Sequence, residues 1–118
     1  MPNKSHKNCI EFHKNQLEEK HSYKCKKEFD LIRNGAVHNL DLACAKKDKP
    51  SVAMEIESNK NFENPQIQSN ARDLEEFKKA YPNSLTYHIH TSQTIDFDKE
   101  LSKQPIKPKT IIKRYGQK

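Results

Sequence analysis

The sequence predicts an α/β domain with a mixed β-sheet flanked by helices, on three observations. Two segments, around Ile10–Leu17 and Ile67–Tyr81, repeat apolar residues at helical spacing. Four other segments read as strands, and the first three are joined by the short turns Arg33-Asn34-Gly35 and Lys46–Pro50. Short turns join antiparallel strands, whereas the helix between the third and fourth strands calls for a parallel, right-handed crossover. The order is therefore α-β-β-β-α-β.

Each element has its own warrant. Residues 4–20 form the first helix, with Ile10, His13 and Leu17 on one stripe, broken at His21-Ser22. Tyr23–Ile32 is a strand with Tyr23, Cys25, Lys27 and Phe29 on one side. Ala36–Ala45 follows, and then Val52–Glu57, the shortest and most apolar strand, expected near the centre of the sheet. Asn64 caps the second helix, Pro65 opens it and Pro82 closes it, with Ile67, Ala71, Leu74, Phe77 or Lys78, and Tyr81 as its stripe. Leu85–Thr91 is the last strand, with Leu85, Tyr87 and Ile89 facing one way and Thr86, His88 and His90 the other. Asp96–Leu101 suits a short helical turn, and Lys103–Lys118 reads as extended.

The 118 residues fit one domain, over residues 1–100, with a basic, flexible tail at 101–118. A hydrophobic fraction of 32% and a mean hydropathy of −1.12 imply a small core, which a second copy of the chain could complete. No run approaches the roughly 20 apolar residues of a membrane span. MPNKSHKN lacks an apolar leader core, so a cytoplasmic protein is expected. Cys9, Cys25 and Cys44 have no close spacing and are expected as free, buried thiols. Sixteen Lys or Arg balance sixteen Asp or Glu over residues 1–100, so the net charge of +6 sits in the tail. Its Lys103, Lys107, Lys109, Lys113, Arg114 and Lys118, with Lys46, Lys47 and Lys49 in one turn, suit a polyanion such as DNA.

The most informative residues are Asp41, Glu55 and Glu57. Alternation along Val52–Glu57 puts both glutamates on one face, opposite Val52, Met54 and Ile56. Adjacent carboxylates on an apolar strand repel and are costly to desolvate, so a divalent cation is expected to offset them, with Asp41 as a third oxygen ligand. A set of carboxylates suits hard ions, Mg²⁺ or Mn²⁺. An acidic pair on an exposed edge strand would instead be an ordinary solvated face.

Together, these residues and the element order resemble the PD-(D/E)XK nuclease superfamily, the restriction-endonuclease-like and Holliday-junction-resolvase-like enzymes, over roughly residues 5–91. Asp41 matches the acid on that family's second strand, and Glu55-Ile56-Glu57 matches the (D/E)XK motif on its third, with thirteen residues between Asp41 and Glu55. Leu40 replaces the proline before the first acid, and Glu57 replaces the motif lysine, an E-X-E variant. Lys60 is the alternative source of that missing cation. Glu11 in the first helix, or Glu28 on the first strand, matches the auxiliary acid, and Gln66 matches a polar residue facing the site.

The resemblance implies a Mg²⁺-dependent DNA endonuclease, acting as a homodimer because two cuts in a duplex need two sites. Asp41, Glu55 and the Ile56 carbonyl would hold the ion, which would polarise the scissile phosphate and activate a water. Glu57 or Lys60 would position that water, and Glu57 would take its proton. With ordinary pKa values all three acids are ionised at neutral pH.

Three other readings compete. His88-Ile89-His90 is similar to the HUH motif of rolling-circle initiators and relaxases, which pair it with a nucleophilic tyrosine; Tyr115 is the sole downstream tyrosine and lies in no helical pattern. A non-catalytic nucleic-acid-binding module would bind through phosphates without metal; the third reading is a protein-interaction subunit of a larger nuclease complex.

Overall fold

A computed structural model describes residues 4–59, 61 and 63–102; Lys60, Lys113, Arg114, Tyr115 and the rest of the tail lie outside them. Helix α1 (Lys4–Asn15) continues into a π-helical turn at Gln16–Lys20, followed by β1 (Lys24–Arg33), β2 (Ala36–Ala45), β3 (Val52–Glu57), α2 (Pro65–Ala80), β4 (Leu85–His90) and α3 (Phe97–Leu101). The described residues thus form an α/β fold with one four-stranded sheet of order β1-β2-β3-β4. The first two pairings are antiparallel and the third is parallel.

The local causes are those the residue types provide. Asn34 and Gly35 have φ of +53° and +77° in a two-residue turn between the partners Arg33 and Ala36, the left-handed pair such a hairpin needs. The Asn64 side chain accepts from the Gln66 N–H at 2.8 Å, and Pro65 takes the first helical position. The Asp96 side chain caps α3 in the same way.

Two hydrophobic clusters cover the two faces of the sheet. Cys9 and Ile10 from α1 and Leu17 from the π-helical turn, with Ile95 and Phe97, pack on Val52, Met54, Ile56, Tyr87 and Ile89. Leu74 and Phe77 of α2 pack on Leu31, Leu40, Ala43 and Ala53. Buried His13 ties α1 to the chain before α3: its Nδ1 donates to the Cys9 carbonyl at 2.8 Å and its Nε2 accepts from the Ile95 N–H at 2.9 Å. The Gln16 side chain adds bonds to Ile95 O and Phe97 N.

Two expectations are corrected. Cys25 and Cys44 are not free thiols; they are cross-strand partners joined by a disulfide, with Cα atoms 4.0 Å apart. The hairpin register brings them together across nineteen residues of sequence, a distance at which spacing carries no signal. Cys9 is free and buried as expected.

The second correction concerns β1. Tyr23 and Cys25 pack with the α1 cluster, but Phe29 packs with the α2 cluster. Strand β2 does the same, with Leu42 and Cys44 on the α1 side and Leu40 on the α2 side. The ladder pairs Lys27 with Leu42 and Phe29 with Leu40 and leaves out Glu28 and Asp41, and Glu28 has φ of +53°. A shared distortion at Glu28 and Asp41 therefore exchanges the faces of both strands, as a bulge re-aims side chains without ending a sheet. No helix among the described residues is long and apolar enough to cross a membrane.

Candidate active site

The candidate site opens where β2 and β3 part. Their ladder stops at Leu42–Met54, so the next backbone N–H groups lose their strand partners and need others. Two carboxylates supply them. Glu55 Oε1 accepts from the Asp41 N–H at 3.0 Å, and Asp41 Oδ2 accepts from the Ile56 N–H at 2.7 Å. The splayed strands leave a cleft of about 540 Å³ lined by His6, Glu11, Asp41, Glu57, Gln66 and Asn70, among others.

Glu55 lies behind the cleft, 1% exposed, and its Oε2 has no hydrogen-bond partner. Burial, then the charges of Asp41, Glu57 and Asp73, push its carboxyl well above the usual range. The expectation of ordinary ionisation thus fails at Glu55, because the strand is covered by α2.

Glu57 is buried at the cleft wall. Its Oε2 accepts from Asn70 Nδ2 and from His88 Nε2, both at 2.7 Å. The two glutamates share a face as alternation predicted, and that face is interior. His88 is fully buried and its Nδ1 lacks a partner, while His90 Nδ1 bonds Ser92 Oγ at 2.8 Å. The two histidines also share a face, but their nitrogens meet different neighbours.

Glu11 and Glu28 both line the cleft, as does Gln66, whose Nε2 donates to Asn70 Oδ1 at 3.1 Å. Glu11 pairs with Lys27 Nζ at 2.8 Å, and that bond holds its carboxyl below the usual range. The Lys46–Lys49 turn sits at the other end of β2, about 17 Å along the strand from Asp41. Lys46 is committed there to the His21 carbonyl at 2.6 Å. Among the described residues, no three His, Cys, Asp or Glu side chains form a ready-made metal-ligand group.

Several contributors escaped the sequence reading. His6 Nε2 lies 3.3 Å from Asp41 Oδ2; its signal was its place one turn before Ile10 on the stripe of α1. Asn70 lies three residues after Ile67 on the buried side of α2, a polar residue where the stripe wants an apolar one. Asp73, 2% exposed, accepts from Arg33 Nε at 2.6 Å and lies 3.3 Å from His38 Nδ1, tying the hairpin to α2. Only the fold could reveal that contact.

No family model, curated protein or solved structure matches this chain.

Proposed function

We propose that this protein is a metal-dependent DNA endonuclease of the restriction-endonuclease-like type, with Asp41 and Glu55 at its centre. The observation that carries this reading is the interlocked carboxylate pair at the split between β2 and β3, where one buried glutamate oxygen lacks a partner. A buried acid surrounded by other acids is unfavourable unless it serves a cation or a proton transfer.

Asp41, Glu55 and the Ile56 carbonyl are the groups that would hold Mg²⁺ or Mn²⁺, and the orphaned Glu55 oxygen fits such an ion. When bound, the ion supplies positive charge for the scissile phosphate and eases deprotonation of a water. Glu57 has the geometry of an oriented base, because His88 and Asn70 fix one oxygen of a carboxylate at the cleft wall. In hydrolysis the water oxygen bonds to phosphorus as the bond to the leaving oxygen breaks. The water proton passes to Glu57, and the leaving oxygen takes a proton from solvent. Glu11 or Glu28 is the auxiliary acid, Gln66 a polar contact, and Lys60 the alternative partner for the water. Lys46, Lys47, Lys49, Lys113 and Arg114 supply phosphate contacts away from the centre. A second copy of the chain supplies the second cut.

The test is incubation with supercoiled plasmid and a four-way junction in Mg²⁺, Mn²⁺ or EDTA. Nicking that needs metal and disappears in Asp41→Asn supports the proposal. Metal-independent binding without any nicking favours the non-catalytic module, a reading supported by the engagement of Glu57 with His88 and Asn70.

A further inference from the structure

Helix α1 separates the cleft from a second recess that the proposed chemistry leaves unused. His6, Lys7, Ile10 and Glu11 line the cleft. Ser5, Asn8, Cys9 and Phe12 recur along the opposite flank of the same helix, and with Thr91 and Thr94 they line a pocket of about 290 Å³. The two openings lie one helix width apart, roughly 10 Å.

This pocket is uncharged, and its polar side chains are one amide and three hydroxyls. Its aromatic group, Phe12, is 52% exposed. The His13 ring meets that phenyl edge to face, with centroids 5.2 Å apart, and His13 is itself fixed at both nitrogens. The other wall is held by the Thr91 N–H on the Glu57 carbonyl at 2.9 Å and by Gln93 Oε1, which accepts from the His90 N–H at 2.8 Å. An exposed aromatic ring held beside amide and hydroxyl groups suits a neutral, flat ring with its own donors and acceptors, which is the chemistry of a nucleobase. Further along α1, Phe12 also borders a groove that carries Glu19, Asp96 and Asp98 against Lys20, a charge balance that repels phosphate. Lys7, by contrast, is exposed, lines the cleft and adjoins Asn8. A strand crossing α1 from the cleft to the uncharged pocket therefore passes a cation.

We propose that the pocket bordered by Phe12 and Asn8 binds an unpaired nucleobase of the DNA strand whose phosphate occupies the cleft, so that the substrate class is DNA with single-stranded nucleotides beside the cut, such as a flap or a fork. The inference rests on the reading of the cleft as the site of strand cleavage. A base in an intact duplex is stacked and paired, and would have to leave the helix to reach Phe12. A strand already unpaired meets no such barrier. Phe12 stacks on the base, Asn8 and the two threonines meet its edge, and Lys7 contacts the phosphate between the two sites.

The test is equilibrium binding of the full chain, in EDTA, to an intact duplex and to the same duplex carrying a single-stranded flap with a fluorescent aminopurine base. Wild type, Phe12→Leu and Phe12→Tyr are compared, and cleavage in Mg²⁺ is then measured for these and for Asp41→Asn. Wild type should prefer the flapped DNA and quench the aminopurine. Phe12→Leu, which keeps apolar bulk without the ring, should bind the flap at least about fivefold more weakly and the duplex as before, within what one base–aromatic stack contributes. Phe12→Tyr should retain the preference. Equal affinity of wild type for the two DNAs, or a Phe12→Leu loss on both alike, overturns the inference. A Phe12→Leu loss that accompanies dissociation of a dimer in sedimentation makes Phe12 a self-contact and overturns it too. These results leave the nuclease reading standing where nicking still disappears in Asp41→Asn. No metal-dependent cleavage of any DNA removes that reading and this inference with it.

Discussion

Asp41 and Glu55 cross-brace the point where β2 leaves β3, each carboxylate accepting a backbone N–H that has lost its strand partner. The same two side chains thus carry structural bonds and, on the proposed reading, the chemistry as well. Mutations there must be read for stability and activity separately.

Asp41→Asn keeps a carbonyl oxygen for the Ile56 N–H and removes the charge. Metal-dependent nicking should fall by at least about a hundredfold, or roughly 3 kcal/mol of barrier. Thermal stability should stay near wild type. Asp41→Ala also strands the Ile56 N–H and should cost a further 1–3 kcal/mol or so of folding stability. Wild-type nicking by Asp41→Asn would sink the assignment.

Glu55 makes stability depend on pH with a defined sign. Its folded pKa is raised from the usual 4.5, so its contribution is fully present below that value and is lost as pH rises through the raised one. Metal-free Glu55→Gln should therefore be inactive yet more stable than wild type at pH 8, by about 1–3 kcal/mol on the scale of an unsatisfied buried group. The gap should close towards pH 4.5. Urea melts at several pH values measure it, and a Glu55→Gln protein less stable at pH 8 would contradict the burial argument.

Arg33 and Asp73 hold the β1–β2 hairpin against α2, and Arg33 also donates to Ser69 Oγ at 2.9 Å. Arg33→Ala leaves a nearly buried carboxylate without its guanidinium and should cost about 3–5 kcal/mol in urea unfolding. Adding Asp73→Asn should recover part of that loss. If the double variant is no better than the single, the pair is not what links the hairpin to α2.

The Cys25–Cys44 bond closes a loop between residues nineteen apart in sequence. Replacing both cysteines by serine should lower stability by about 3 kcal/mol through freedom returned to the unfolded chain. Intact mass under non-reducing conditions should be two hydrogens below that of the reduced chain. Such bonds persist mainly in oxidising surroundings, so the fraction oxidised in freshly lysed cells also bears on the expected cytoplasmic location.

Much of the fold was legible along the chain because it depends on local periodicity. Alternation separated Val52, Met54 and Ile56 from Glu55 and Glu57, helical spacing found both long helices, and Asn64-Pro65 and Asn34-Gly35 marked a start and a turn by their own backbone chemistry. Tertiary structure alone decided the rest. The face exchange at Glu28 and Asp41, the pairing of Cys25 with Cys44, and the meetings of His6 with Asp41 and His88 with Glu57 join residues far apart in sequence. Such contacts arise only after the strands have chosen partners and the helices have covered both faces. No pattern within one segment encodes which distant charge will answer a buried one.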